Sequence, residues 1–303
     1  MLNRLLQQAF EEGKAITSQG KVADYIPELG KVSPDGLGIC VCTKYGQSIG
    51  VGDYDTRFTI QSISKIINLA FALEKLGAEK VFTNVGMEPS GDAFNSLMKL
   101  EKADSTPHNP MVNAGAIVIA GYLAEKFSFE EMLDMAKKLC MDDKIAVDEM
   151  VYDSEMANLS RNRAIAYLLH SKGYIEADVE KTLELYVKMC SLSITAKSLA
   201  NMGLILACNG INPKNNEVLL QPQTVKLVTT IMFTCGMYDG AGKFAVRVGI
   251  PSKSGVGGGI ISVAKGKMGI GIYGPSLDES GNSIAGIAML ENISKKLNLH
   301  MFE

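Results

Sequence analysis

Ser62-Ile63-Ser64-Lys65-Ile66-Ile67-Asn68-Leu69-Ala70-Phe71-Ala72-Leu73 is the stretch on which the reading of this chain turns. From Lys65 onward it is apolar nearly all round, the pattern of a helix buried on every side. The helical pattern runs over 62–76 and is expected to close at Gly77, acting as a C′ glycine. Ser62 and Lys65 stand three apart, so on a helix they share a face and the lysine nitrogen can approach the serine hydroxyl. A serine is a poor nucleophile until something takes its proton. A lysine can take it only as the neutral amine, which requires burial to lower its pKa from about 10.4. At a helix start, the dipole and the free N–H groups also favour negative charge developing at Ser62.

The spacing alone is weak, because Ser18/Lys21, Ser96/Lys99 and Ser262/Lys265 repeat it. Context separates the four. Ser18/Lys21 lies in a polar segment with a glycine, and Ser96/Lys99 leads into charged Glu101-Lys102. Ser262/Lys265 falls on a strand and its turn, where a spacing of three does not bring side chains together. Ser62/Lys65 is the candidate catalytic pair.

Working outward, strand patterns occupy both ends of the chain and helices its middle. After an opening helix, β-formers run over 36–43, with short strands expected over 48–52 and 57–60. Helices are expected to start at Asn109-Pro110, with asparagine as cap and proline at the first helical position. Others are expected over 129–140, 161–170, 176–190 and 196–207, and 210–223 reads as a loop. Strands return over 244–249, 259–264 and 268–273, with Lys265-Gly266-Lys267 as a hairpin turn between the last two. A helix over 283–297 closes the chain. The expected architecture is therefore α/β: one sheet built from both termini and flanked by helices, with an inserted all-α domain. The division expected is 1–61 together with 220–303 for the sheet domain, and 62–219 for the helical domain carrying the nucleophile helix. A cleft between the two is the natural place for a site.

The 303 residues are long enough for a full core, and 47% hydrophobic with 21% charged residues is ordinary globular usage. A net charge of −3 and no basic cluster with interleaved aromatics set nucleic acid aside as a partner. No apolar run approaches the roughly 20 residues that span a bilayer, and the N-terminus carries charges where a secretory signal needs an apolar stretch. The six cysteines (Cys40, Cys42, Cys140, Cys190, Cys208, Cys235) form no CxxC and read as small buried hydrophobes in a reducing compartment. A cytoplasmic protein that uses no membrane is expected. His108, His170 and His300 are the only histidines and lie far apart, so no metal is expected.

Two glycine-rich segments bear on the site. Lys253-Ser254-Gly255-Val256-Gly257-Gly258-Gly259 has the form of a Lys-[Ser/Thr]-Gly strand entry. It resembles the strand that serine–lysine acyl transferases of the penicillin-recognising type set opposite a Ser-x-x-Lys helix. Such glycines let a carbonyl approach the backbone, so that an N–H can serve as an oxyanion donor. Gly269-Ile270-Gly271-Ile272-Tyr273-Gly274 fits GxGxxG literally, but it lies within a strand and runs into Pro275. A dinucleotide site needs these glycines between a strand and a helix, so no nucleotide cofactor is expected.

With these residues in hand, the chain resembles the serine-dependent glutaminases. The blocks that carry the resemblance are Lys21-Val22-Ala23-Asp24-Tyr25-Ile26-Pro27-Glu28-Leu29, Gln61-Ser62-Ile63-Ser64-Lys65, Glu88-Pro89-Ser90-Gly91 with Phe94-Asn95-Ser96, Asn109-Pro110-Met111-Val112-Asn113-Ala114-Gly115-Ala116-Ile117, Cys235-Gly236-Met237-Tyr238-Asp239, and the Lys253 segment. The blocks come in the right order, and the resemblance runs over about 25–286. The resemblance implies a β-lactamase-like fold, hydrolysis of L-glutamine to L-glutamate and ammonia, no cofactor, and a homodimer or homotetramer. It also implies roles. Ser62 would be the nucleophile and Lys65 its base, with Tyr238 sharing proton transfer and Tyr186 near the leaving group. The Val256 and Ser62 N–H groups would form the oxyanion hole, and Tyr25, Asn113, Glu155 and Asn162 would grip the amino-acid end. That grip is chemically sensible, since Glu155 can pair with an ammonium while the two asparagines and Tyr25 donate to a carboxylate. Glu155 and Asn162, seven apart, share a face if their segment is one helix.

Two other functions fit the same motifs. A penicillin-binding or β-lactamase-like enzyme would use the same Ser-x-x-Lys helix, although its substrate lies outside the cytoplasm. A non-catalytic amino-acid sensor would need the same polar grip.

Overall fold

The structure, a computed structural model, describes residues 2–90 and 105–303. The Phe94-Asn95-Ser96 block and the Ser96/Lys99 pair lie outside the described residues. Helix α1 (Leu2–Lys14) leads to strands β1 (Gly38–Thr43) and β2 (Ser48–Gly52) and the short β3 (Phe58–Thr59). Helix α2 (Ser64–Thr83) follows, then α3 (Asn113–Ala124), α4 (Phe129–Cys140), α5 (Glu149–Ala157), α6 (Ser160–Ser171) and α7 (Val179–Cys190). After β4 (Ser193–Ile194) come α8 (Ala196–Ala207), α9 (Pro222–Cys235) and α10 (Ala241–Arg247). Strands β5 (Ser252–Ser254), β6 (Gly259–Ala264) and β7 (Met268–Tyr273) and helix α11 (Ile284–Leu297) complete the chain.

The main sheet is antiparallel, in the order β2-β1-β7-β6-β5, so strands from the two ends of the chain meet at β1 and β7. Side chains alternate across it. On one face Ile39, Val41, Ile260, Ile270 and Ile272 pack with Leu6 and Ala9 of α1 and with Met289, Leu290 and Ile293 of α11. On the other face Cys40 and Cys42 pack against Ala200 and Leu204 of α8. Here the GxGxxG segment finds its purpose. A Cβ on Gly269 would run into the Ala200 carbonyl oxygen, and one on Gly271 into that of Ala196. These glycines bring helix α8 onto the strand, and the sheet is covered on both faces. Helix α8, drawn from the middle of the chain, thus belongs by packing to the sheet. Helices α2, α6 and α7 pack around α3, which is buried at all but its last residue.

Several elements depart from expectation. Residues 244–249 are not a strand: α10 covers Ala241–Arg247, burying Ala241 and Phe244 three apart while Val246 is 80% exposed. The helical burial period overrides the β-propensity of valine and phenylalanine. Asn109 does not cap a helix. Its Oδ1 accepts from the Met111 and Val112 N–H groups at 2.9 and 3.2 Å, closing a turn, and α3 starts only at Asn113. Helix α9 was unexpected; Pro222 at its first turn presets φ, while its threonines and valines hide the helical signal. Strand β3 pairs with β4 rather than joining the main sheet. Gly77 breaks α2 where expected, at φ 81°, but a further stretch resumes to Thr83. Among the described residues no helix is long and apolar enough to cross a membrane.

Candidate active site

Ser62 lies in a short 3-10 turn, Gln61–Ile63, that feeds directly into α2. Gln61 adopts φ 49°, a left-handed backbone in a residue with a Cβ, and such strain concentrates at functional sites. Lys65, three residues on, lies in the first turn of α2, so the pair stands together at the head of the buried helix. Ser62 is at the limit of burial and Lys65 is 1% exposed. The Lys65 ammonium donates to the Met111 carbonyl at 2.9 Å and to Asn113 Oδ1 at 2.8 Å, both where the chain enters α3. Burial lowers its pKa to about 8, against the opposing pull of Cys190 and Glu155. Near neutral pH about a tenth of Lys65 is therefore the amine that can accept a proton, far more than of an ordinary lysine.

The glycine segment after β5 packs on the chain that enters this turn. A Cβ on Gly255 would come within 2.8 Å of the Ile60 carbonyl, and one on Gly257 within 2.6 Å of that of Thr59. Val256, between them, is buried, and both it and the Ser62 side chain lie beside the Tyr238 hydroxyl. Burial raises the Tyr238 pKa, against the opposing effect of those two neighbours, so the phenol keeps its proton until something takes it. Tyr238 also holds positive φ, 51°, in the 3-10 turn after α9.

The sequence reading missed one titratable group. Lys253, on β5, is fully buried, with its ammonium 4.2 Å above the Tyr238 ring centroid and donating to the Ser254 carbonyl at 2.6 Å. Burial, and then Lys65, push its pKa well below the usual value. The signal was available: a lysine inside a strand whose neighbours are all apolar or small has no route to solvent.

Tyr186, on α7, is buried, and its hydroxyl shares a hydrogen bond with the Cys190 thiol one turn further on. Burial drives the Tyr186 pKa up, with Cys190 and Glu155 adding to it. The same thiol lies 3.7 Å from Ser64 Oγ, so Cys190 ties the tyrosine to the first residue of α2.

Glu155 and Asn162 come from two helices, not one face of a single helix, because the chain breaks at Asn158-Leu159 between α5 and α6. They still converge. Asn162 Oδ1 accepts from Asn113 Nδ2 at 3.0 Å, in line with the Lys65–Asn113 bond. Glu155 is buried, and burial lifts its pKa to about 7, opposed by a hydrogen bond from Gln61 and by the Lys65 charge. Its Oε2 is buried with no hydrogen-bond partner. Tyr25 is 56% exposed at the mouth; the protein around its hydroxyl, then Tyr238, Glu155 and Cys190, raise its pKa. Ser62, Lys65, Tyr238, Tyr186, Val256, Asn113, Glu155, Asn162 and Tyr25 thus form one connected neighbourhood.

A covered antiparallel sheet from both termini, with a serine at the head of a buried helix and a Lys-Ser-Gly strand beside it, defines the β-lactamase-like fold. The sequence profile of the Glutaminase family matches residues 20–302. Glutaminase from Fusobacterium nucleatum is 48% identical over 99% of this chain and 100% of its own length. Glutaminase 2 from Clostridium perfringens is 46% identical with the same coverage. A Bacillus subtilis glutaminase, solved as the covalent complex with 5-oxo-L-norleucine formed by reaction with 6-diazo-5-oxo-L-norleucine, superposes with a TM-score of 0.91 at 37% identity, covering 100% of both chains. The chain belongs to the glutaminase family.

Proposed function

We propose that the protein hydrolyses L-glutamine to L-glutamate and ammonia through an ester on Ser62. The observation that carries this reading is the buried, unpartnered Glu155 Oε2 in the same neighbourhood as the Ser62–Lys65 pair. A buried carboxylate oxygen without a partner costs free energy, and the α-ammonium of an amino acid would satisfy it. Asn113, Asn162 and Tyr25 are the donors for the α-carboxylate. With the amino-acid end so held, the side-chain amide extends toward Ser62.

Neutral Lys65, directly or through Tyr238, takes the Ser62 proton as Oγ bonds to the amide carbon. The oxygen of that carbon becomes an oxyanion facing the Val256 and Ser62 N–H groups. Collapse breaks the C–N bond, and the proton taken from Ser62 goes to the nitrogen, which leaves as ammonia past Tyr186. Water then attacks the ester carbon, gives a proton to the same base, and Ser62 Oγ leaves with that proton. Lys253 under the Tyr238 ring supports proton transfer by holding the phenol in place and adding a second, weakly basic amine. Ser62→Ala is expected to abolish glutamate formation while its circular dichroism spectrum and glutamine-induced thermal shift persist. Turnover near the original rate in that variant would falsify the assignment, and glutamine and asparagine assayed side by side check the substrate.

A further inference from the structure

Residues 20–37 run from the sheet side of the molecule to the helical side and back, with Tyr25 on the way. At one end Lys21 and Leu277 exchange both backbone hydrogen bonds, at 3.0 and 2.8 Å. At the other, the Leu37 N–H donates to the Asp53 carboxylate at 3.0 Å before the chain enters β1. Between these ties the strap holds little regular structure, a single 3-10 turn at Leu29–Lys31. Ile26 and Leu29 pack with Val151 of α5 and with Tyr238, Val256 and Leu277, in a small core separate from the large ones. A cavity of about 160 Å³ lies against the strap, lined in part by Val22, Leu29, Val32, Phe58 and Val256. The strap is therefore not packed down along its length, and a few anchor points decide where Tyr25 stands.

One of those anchors is polar. The Glu28 N–H donates to Ser154 Oγ at 3.3 Å. Ser154 neighbours Glu155 on α5, so a single helix turn presents one side chain to the pocket and the next to the strap. We propose that Ser154 is a positioning residue for glutamine, setting the strap and through it Tyr25 over the amino-acid end of the substrate. The inference rests on the reading of Tyr25 and Glu155 given above. The Glu28–Lys31 ion pair lies within the strap and does not reach α5, so it cannot supply the same tie.

Steady-state kinetics of the full chain with glutamine test this. Ser154→Ala is expected to raise KM roughly three- to tenfold with kcat changed less than about twofold, the effect of one lost neutral hydrogen bond on uniform binding. Ser154→Thr keeps the accepting oxygen and is expected to restore KM. Tyr25→Phe is expected to raise KM by itself, and the Ser154→Ala, Tyr25→Phe double variant to be no worse than Tyr25→Phe alone, because both act through one group. An unchanged KM in Ser154→Ala overturns the proposal, as does a double variant whose effects multiply. A raised KM in Ser154→Ala beside a silent Tyr25→Phe overturns the route through the tyrosine. Failure of the parent chain to form glutamate is a different result, and it overturns the proposed function itself.

Discussion

The floor of the site and its rim use similar side chains in different surroundings. On the floor Ser62, Lys65, Tyr186, Cys190, Tyr238 and Lys253 are none of them more than 9% exposed, whereas Tyr25 at the rim is 56% exposed and Asn162 is half-buried. The floor works by desolvation. Two lysines are driven toward the amine and two tyrosines toward the protonated phenol, so each group is ready to move one proton. The rim works by placement, with exposed donors held by a strap and by helix ends. Glu155 belongs to both: buried like the floor, yet proposed to face the substrate's ammonium, which does not react. Changes to the floor should therefore appear in kcat and in pH profiles, and changes to the rim in KM.

The largest effect should come from Lys65. Lys65→Met is expected to lower kcat by about 10³-fold, the middle of the range for loss of a positioned base, with KM changed far less. In the parent enzyme kcat should rise with pH through about 8 as Lys65 becomes the amine. Lys253→Met should also lower kcat, but its limb should stay near pH 8, because burial already holds Lys253 as the amine when Lys65 titrates. A shifted limb in that variant would make the two lysines one coupled unit. Stability carries the same signature. The unfolded chain binds more protons at Lys65 than the folded one between about 8 and 10.5, so this group makes the fold more stable as pH rises through that window.

Glu155 should give the next effect, and it separates floor from rim most sharply. Glu155→Gln removes a charge-assisted contact to the substrate ammonium and is expected to raise KM roughly 10- to 100-fold, with a smaller change in kcat. Since burial holds its pKa near 7, KM of the parent should climb as pH falls below about 7, and that dependence should vanish in the glutamine variant. The sign for stability is opposite to that of Lys65. Between 4.5 and about 7 the folded chain binds more protons at Glu155 than the unfolded one, so this group makes the fold less stable as pH rises there. Melting curves across pH 5–7 for parent and variant measure it.

How much of this was legible in sequence follows the same division. The buried helix of Ser62 announces itself by residues apolar on every side, and the strands at 259–264 and 268–273 by their β-formers and the glycine turn between them. Chemistry on the floor was half legible. The Ser-x-x-Lys spacing identifies a pair, yet nothing in a one-dimensional pattern says that Lys253 is buried against Tyr238. The rim was legible only by resemblance. Tyr25, Glu155 and Asn162 lie on a strap and two separate helices, and their convergence depends on a chain break at Asn158-Leu159 that the sequence reading did not find. Helices α9 and α10 were misread for one cause: valines, threonines and a phenylalanine occupy helices whose burial, not propensity, sets their form.

The smallest effect should come from Cys190, which joins two parts of the floor without facing the substrate's amino-acid end. Its sulfur spans 3.7 Å to Ser64 Oγ and shares a bond with Tyr186, a reach that suits the long C–S bond and large radius of sulfur. Burial pushes its pKa up to about 12, so at working pH it is a neutral thiol. Cys190→Ala removes one buried atom and frees the Tyr186 hydroxyl, so kcat should fall by about two- to fivefold and stability by about 1 kcal/mol. Cys190→Ser puts a shorter polar arm in the same place, and an oxygen there cannot reach Ser64 at a hydrogen-bonding distance. A buried hydroxyl short of partners costs about 1–3 kcal/mol. The serine variant should therefore melt below the alanine variant although it resembles the parent more closely. Equal melting temperatures for serine and parent would show that the floor tolerates a stronger donor at this position, and that the thiol's size, not its weak polarity, is what the packing selects.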